Sequence, residues 1–496
     1  MWGNWGGNVA CPIAMHTSTD DASSTAAAQE DSLGELDDTE PAVDRAEPTN
    51  EDELSKNARK RLLKAATKGA RKEKRKAEKI NRKEKQRAEE EAAASAGAEV
   101  VLTQAPLVVN PPKTADEHSA AAWAMWRRFG SPRLVLAPMV NQSELAFRLL
   151  SRQHGVGLTY TPMLHSRLFA SSDTYRRDNF DEHHTDRPLI VQFCGDDPAT
   201  LLSAARYVET RCDGVDLNCG CPQAIARSGH YGAFLLDEPE LIEEIVRALT
   251  RSLSVPVSVK VRILPAADGS VDTPKTIAFC QRLEAAGASL LTVHGRTRQQ
   301  KCACDPDWQT LREIKAALRI PVIANGGIET PEDLDACLEA TQCDAVMTSE
   351  SALENPAVTA GVPISRHSQA GLARAYIELA RAHPPRCIAI LKAHFFKMLY
   401  MALDEHRDCR EKLGNALDAE GVFAVVSMVC SREEAASQAE PEAMRRRCDA
   451  PDAPWQTWYR RHRGAKAADP DRYGGITKAD EPERDCAPCA GGDSAA

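Results

Sequence analysis

The apolar positions fall into two regimes. Before about residue 115 they are scattered among Ala, Ser, Asp, Glu, Thr and Lys, with no aromatic between Trp5 and Trp123. Such a stretch cannot bury enough apolar surface to fold, and residues 1–115 are predicted to be disordered. From Leu134 onward, short β-rich apolar runs recur at Leu134–Pro138, Leu158–Thr161, Leu189–Phe193, Val215–Asn218, Val257–Val261, Leu290–His294, Val322–Asn325 and Ala345–Thr348. Helical periodicity lies between them, at Glu144–His154, Pro198–Arg211, Glu238–Ser252, Thr273–Ala286, Asp307–Leu318 and Pro331–Thr341. Eight such runs spaced by helices predict parallel βα units. The fold class is therefore α/β, a TIM (β/α)8 barrel over residues 131–365. The connection from Met163 to Arg187 is the least helical and reads as a loop, and Ala121–Arg128 reads as a short lead-in helix.

After Pro363 the strand signals stop. Gly371–Ala382, Ile388–Tyr400 and Ala416–Val429 have helical patterns, which predicts a small all-α domain over 366–430. From about Ser431 polar composition returns, so 431–496 reads as a mostly disordered tail. Within it, Pro454-Trp455 and Trp458-Tyr459-Arg460-Arg461 form a candidate docking segment.

Charge adds a partner. Between Lys56 and Arg87 there are 16 Lys or Arg against three Glu, a local charge of +13, which leaves −23 for the rest of a chain of net charge −10. A basic block of this density points to nucleic acid or another acidic partner. The amino terminus lacks a basic start and an apolar core, and no run of about 18 apolar residues exists, so neither a secretory signal nor a membrane span is expected. Sixteen Cys without a signal point to free thiols in a reducing compartment, cytoplasm or nucleus. Cys302-x-Cys304 and Cys486-x-x-Cys489 supply two ligands each, and no metal is expected.

In a barrel the informative residues stand at the carboxyl ends of the strands. Val215-Asp-Leu-Asn218 is followed by Cys219-Gly220-Cys221-Pro222, which cannot continue a strand, so Cys221 sits on a sharp turn at the catalytic face. A thiol so placed can exchange a proton, although one cysteine beside a turn is equally consistent with a structural role. Val257-Ser-Val-Lys-Val-Arg262 places Ser258, Lys260 and Arg262 on one face by period two. The other ends read Ala137-Pro138-Met139-Val140, Gln192-Phe193-Cys194-Gly195, His294-Gly295-Arg296-Thr297, Asn325-Gly326-Gly327-Ile328 and Thr348-Ser349-Glu350-Ser351. So many polar ends converging on one mouth require a ligand to compensate them. Gly326-Gly327 and the turn after the eighth strand suit a phosphate on backbone N–H groups. Lys260 suits an electron-rich ring that gains charge on reduction, and flavin mononucleotide (FMN) fits both.

These residues resemble a known family. Ala137-Pro138-Met139, Asn218-Cys219-Gly220-Cys221-Pro222, Lys260-Val261-Arg262, Val293-His294-Gly295-Arg296-Thr297 and Asn325-Gly326-Gly327-Ile328 resemble, in order, the tRNA dihydrouridine synthases. The similarity covers roughly Pro132 to Tyr400. Pro138–Leu145, Tyr160–His165 and Gly229–Phe234 resemble the eukaryotic branch that acts on positions 16 and 17 of the tRNA D-loop. The resemblance implies an FMN-binding barrel, a helical domain that grips tRNA, and NADPH or NADH as reductant. It implies hydride transfer from FMN N5 to C6 of uridine, with Cys221 as the general acid at C5. Pro138, Met139, Val140, Gln192, Lys260, His294, Asn325, Gly326, Gly327, Ser349 and Glu350 would contact FMN. Asn218, Arg262, Arg296, Lys392 and Lys397 would lie near the base or the RNA. Two places depart from the pattern: Arg298–Trp308 is short for this branch, and Ser351 stands where a glycine suits phosphate approach.

Two alternatives belong to other classes. One is an FMN oxidoreductase of a free small molecule, of dihydroorotate or enoate type. The basic block and the helical domain disfavour it, since a small substrate needs neither. The other is a non-catalytic RNA-binding barrel, which the presence of Cys221, Lys260 and His294 disfavours.

Overall fold

The structure, a computed structural model, describes residues 110–300, 304–362 and 364–439. The basic block, most of the N-terminal extension, Cys302, and the tail with its tryptophans and Cys486 and Cys489 lie outside the described residues.

The strands are β1 (Leu134–Leu136), β2 (Leu158–Tyr160), β3 (Leu164–His165), β4 (Leu189–Cys194), β5 (Gly214–Cys219), β6 (Val257–Arg262), β7 (Leu290–His294), β8 (Val322–Asn325) and β9 (Ala345–Thr348). All are parallel. Their order is β2-β1-β9-β8-β7-β6-β5-β4-β3, and a pairing of β2 with β4 closes the ring. Eight strands thus make the expected barrel, with β3 attached to β4 outside it through Leu164 opposite Phe193. Period two sorts β6 between two layers. Val257, Val259 and Val261 pack outward with Ile242, Leu249, Leu283 and Leu311 of the surrounding helices, while Ser258, Lys260 and Arg262 turn to the interior.

The amino-terminal end of the barrel is sealed by the helix Ala115–Arg128. Met125, Trp126 and the following Phe129 pack on Val135, Leu158, Ile190, Leu290, Ile323 and Ala345. Ser119 Oγ and Trp123 Nε1 donate to the Arg319 carbonyl, at 2.9 and 2.8 Å. This helix starts six residues before the apolar pattern does, because Thr114 and Glu117 form a capping box. The connection read as a loop, 163–187, instead holds β3 and two short helices, Ser166–Ser171 and Asp173–Asn179. Each is too short to show a period, and the second is set by Ser172 capping the Tyr175 amide.

The helical part comprises Arg366–Ala382, Ile388–Met398, Tyr400–Glu405, Arg407–Asn415 and Ala419–Ala439. It shares one core with the first βα unit: Leu136, Phe147 and Leu150 pack with Tyr376, Phe395, Val422 and Phe423. The last helix runs on to Ala439, past the expected boundary at Ser431. Its polar residues there are paired. Buried Glu433 accepts from Arg366 Nε and Nη2 at 2.7 and 2.6 Å, and lies 2.7 Å from His406 Nε2.

A polar joint crosses from the barrel to these helices. Glu144, just after the β1 loop, is buried. It accepts from the Tyr376 hydroxyl at 2.6 Å, and its other oxygen lies 3.0 Å from His394 Nε2. Phe147 stacks on the His394 ring at 4.5 Å. Gln142 accepts from Lys397, and Asn141 from Arg386 at 2.5 Å. Burial penalises the Glu144 charge, but His394 and the Tyr376 hydroxyl outweigh it and hold the carboxyl below its ordinary 4.5.

This joint has a testable energetic signature. Tyr376→Phe removes one hydrogen bond to a buried charge and is expected to cost about 1–3 kcal/mol. Thermal denaturation of the full chain should show a fall of about 2–4 °C per kcal/mol. Because the folded pKa of Glu144 is depressed, its contribution is present above 4.5 and is lost as pH falls through the folded value. The gap between wild type and Tyr376→Phe should therefore narrow in acid. An unchanged Tm at neutral pH would contradict the assignment.

Candidate active site

The barrel mouth is organised around the turn after β5. Asn218 Oδ1 accepts from the Gly220 and Cys221 amides, both at 3.0 Å. Arg262, from the neighbouring β6, donates to the Gly220 carbonyl at 2.7 Å and to the Thr297 carbonyl at 3.0 Å. The turn is thus fixed from two strands. Its exit is fixed as well, since Ala233 N donates to the Cys221 carbonyl at 3.0 Å. Gly232 lies beneath, with φ +69°, and a Cβ there would stand 2.8 Å from the Cys221 oxygen. Only glycine allows this approach.

Cys221 is half-buried and packs, as Met163 and Phe234 do, on the buried cluster of Cys194, Ala226 and Tyr231. Burial pushes its thiol pKa up, and the Gln223 backbone, Arg262 and Lys260 pull the other way without cancelling it. The thiol is therefore protonated at neutral pH and suits a proton donor rather than a nucleophile. Cys219, two residues earlier on the strand, is fully buried in the outer core and its pKa lies far higher.

Next to the thiol stands a cluster of cations. Lys260 donates to Asn325 Oδ1 at 2.9 Å, and burial brings its pKa down to about 8, with Arg262 adding to the fall. His294 is held far below the ordinary imidazole value, first by burial and then by Arg262, Lys260 and Arg296. Arg296 Nη1 lies 3.2 Å from His294 Nε2 and can only donate, so the ring is neutral with Nε2 as acceptor. Arg296 Nη2 is buried and has no hydrogen-bond partner among the described residues. Gly326 and Gly327 have φ of +111° and +82°, and a Cβ on either would press on Pro306, at 3.3 and 2.6 Å. The two glycines are thus required on their protein side. Buried cations with an orphaned donor call for an anionic ligand.

Several expected ligand contacts have other partners. Gln192 is fully buried, donates to Asp216 at 2.8 Å and accepts from Asn218 Nδ2 at 2.8 Å, so it supports the turn from below. Asn218 is likewise committed to the turn and to Gln192. Lys392 was expected at the RNA, but its ammonium donates to the Gly414 and Ala416 carbonyls at 2.9 and 2.6 Å and ends a helix. Lys397 bonds Gln142 in the joint. Ser351, where a glycine was expected, lies inward with its hydroxyl 2.8 Å from that of Thr348. Val140 is 48% exposed at the mouth, while Pro138 and Met139 are partly buried, with the Met139 amide held by Ser143 Oγ at 3.0 Å.

Other residues of the site went unread in the sequence. Asp216 is fully buried, with Ser258 donating at 2.5 Å. Burial raises its carboxyl to about 6, against the opposing pull of Ser258, Gln192 and Lys260. Its period-two spacing from Asn218 in an otherwise apolar strand was the available signal. His165 at the end of β3 packs edge-on against Tyr231 at 5.6 Å and has a buried, unpartnered Nδ1. His230 bridges Asp196 and Glu238 at 2.8 and 2.6 Å. Both histidines lie in stretches that resemble the family, Tyr160–His165 and Gly229–Phe234, but nothing local assigns either a role.

Comparison with known proteins agrees with this geometry. A mouse protein named tRNA-dihydrouridine(16/17) synthase (NAD(P)(+))-like is 41% identical over 334 residues, spanning 66% of this chain and 68% of its own. The Saccharomyces cerevisiae tRNA-dihydrouridine(16/17) synthase is 41% identical over 304 residues, 58% of this chain and 70% of its own. A human tRNA-dihydrouridine(20a/20b) synthase-like protein is 40% identical over 230 residues, 46% of this chain and 70% of its own. The family model for dihydrouridine synthase (Dus) matches residues 135–440, which takes in both the barrel and the helices, and the chain belongs to that family.

Proposed function

We propose that this protein is an FMN-dependent tRNA-dihydrouridine synthase that uses NAD(P)H to reduce the C5–C6 double bond of uridines at positions 16 and 17 of tRNA. The observation that carries the reading is the Cys221 thiol, held on a clamped turn beside the cations of the barrel mouth. The names of the mouse and Saccharomyces cerevisiae relatives support the 16/17 positions and the nicotinamide reductant.

The residues at the mouth fit FMN. Lys260, Arg296 with its orphaned Nη2, and the neutral His294 suit an electron-rich ring that takes up negative charge. Gly326, Gly327, Ser349 and Glu350 would take the phosphate end, and Pro138, Met139, Val140 and Asn325 the ring. When bound and reduced, FMN supplies a hydride to C6 of the uracil. Cys221 then gives its proton to C5, which completes the saturated bond and leaves a thiolate. Arg262 and Lys260, which already favour the thiolate electrostatically, stabilise that product until water reprotonates it. The uridine must first leave its stack, at a cost of a few kcal/mol. Contacts with RNA phosphates offset that cost, and the Lys56–Arg87 block has the composition for them.

Two outcomes test this reading. Cys221→Ala is expected to keep its flavin and its reduction by NADPH, yet to form dihydrouridine about 10²–10⁴-fold more slowly in single turnovers with unmodified tRNA. An unchanged rate would remove Cys221 from the chemistry. Separately, FMN binding to the apoprotein, followed by quenching of flavin fluorescence, should weaken as pH rises through about 8, where Lys260 loses its proton. Lys260→Met should bind FMN more weakly and lose this pH dependence. Equal affinity for wild type and variant across that range would place the flavin elsewhere.

A further inference from the structure

We propose that His230 is a positioning residue: by bridging Asp196 and Glu238 it latches the hairpin that carries Cys221 in the geometry from which the thiol delivers its proton. The inference rests on the proposed role of Cys221 as general acid. The hairpin runs from Cys221 through a short helix, Ala224–Ser228, to the 3₁₀ turn Gly232–Asp237. His230 sits near its return, with φ +50°, a conformation a non-glycine residue rarely holds unless its surroundings fix it. What fixes it is on both sides of the ring. Nδ1 lies 2.8 Å from Asp196 Oδ2, two residues past the end of β4, and Nε2 lies 2.6 Å from Glu238 Oε1, just before the helix Pro239–Ser252.

The three residues after this bridge all bear on the cysteine. Tyr231 is buried in the cluster that walls Cys221 and meets the His165 ring. Gly232 lies directly against Cys221, and Ala233 donates to its carbonyl. A displacement of His230 is therefore passed on to the thiol through consecutive residues. The hairpin has a second tie, since Arg298 donates to the Ala233 carbonyl at 3.1 Å and to Asp237 at 2.7 Å, but that one does not reach its tip.

The bridge needs a protonated ring. Only an imidazolium donates from both nitrogens, and a neutral ring would turn one lone pair toward a carboxylate. Asp196 and Glu238 accordingly raise the His230 pKa, mainly through their hydrogen bonds. Among the described residues, Arg167 lies 3.9 Å from the second oxygen of Asp196, and the His165 ring is electrostatically coupled to the same carboxylate. Because the folded value is raised, the latch is complete below the ordinary imidazole value of 6.5 and is lost as pH rises through the folded one.

The test uses the full chain loaded with FMN and compares wild type, His230→Gln and His230→Lys. Alkylation of Cys221 by iodoacetamide, without tRNA, is followed by peptide mass spectrometry and normalised at each pH to Cys387, another partly exposed thiol. In His230→Gln, Cys221 should label about 10-fold faster at neutral pH, and the wild type should approach that rate as pH rises. His230→Lys keeps a cation between the two carboxylates and should label slowly across the range. A shift of about 1 Å in a reacting group costs on the order of 10²-fold. Single-turnover formation of dihydrouridine at saturating tRNA should thus fall about 10–100-fold in His230→Gln. It should recover in His230→Lys. Wild-type labelling in His230→Gln, faster labelling without loss of turnover, or a lysine variant as loose as the glutamine one would each overturn the proposal. If His230→Gln does not fold, Asp196→Asn breaks the same bridge from the other side and is read by the same criteria. Cys221→Ala is measured in parallel. If it turns over normally the general-acid reading fails, whereas the labelling result judges the latch alone.

Discussion

Asn218 is the point on which the barrel mouth depends. Its side chain has one rotamer with two obligations. The amide donates down to Gln192, which donates to Asp216, and the oxygen accepts up from the Gly220 and Cys221 amides. A hydrogen-bonded column thus runs from the barrel interior to the reactive turn. Each member is buried or nearly so, and leaving any of them unpaired costs about 1–3 kcal/mol. The column therefore has no cheap alternative arrangement, and Cys221 inherits that rigidity although it stands past the end of its strand. Arg262 adds the lateral constraint by holding the Gly220 carbonyl from β6.

The same logic applies at the joint with the helices. Glu144 follows the β1 loop whose backbone includes Pro138, Met139 and Val140. Ser143 holds the Met139 amide, Arg148 holds the Ser143 carbonyl at 2.7 Å, and Glu144 itself is fixed by Tyr376 and His394. The helical part is thus tied into the wall of the mouth by buried groups, with Gln142–Lys397 and Asn141–Arg386 beside them. Lys397, on the helix Ile388–Met398, and Arg386, just before it, are occupied in holding the loop, so a basic side chain expected at the RNA from sequence is not always free to face it.

What could be read in the sequence was what repeats locally. Strands buried on both sides spell continuous apolar runs, and seven turns from strand to helix are punctuated by Gly, Pro or Asp. The turn at Cys221 was legible because Gly220 and Pro222 leave the backbone no way to extend. Partnerships between distant residues were not legible. The partners of Gln192 and Lys392, Asp216 and the end of the helix Arg407–Asn415, lie 24 and 22 to 24 residues away in sequence. The Arg366–Glu433 pair likewise turned a polar stretch that resembled a tail into a folded helix, because 67 residues separate the partners. Asp216 was hidden by its setting, since a carboxylate in the middle of a strand is read as an edge or a turn until Ser258 and Gln192 are seen to satisfy it.

The placement of charge around Cys221 has a direction. Arg262 and Lys260 favour the thiolate, while Cys221 packs on a largely apolar wall of Cys194, Ala226 and Tyr231. Burial by that wall dominates before reaction, so the proton stays on sulfur. Once the proton has left, the thiolate feels the same two cations at undiminished strength, in surroundings where water screens little. The cations thus act mainly on the charge that develops, whereas the apolar wall acts on the ground state. A nucleophilic cysteine needs the opposite balance, a thiolate already favoured at rest. The arrangement of apolar and cationic neighbours therefore separates an acid from a nucleophile at the same residue, and it does so through side chains that the clamped turn cannot move away from.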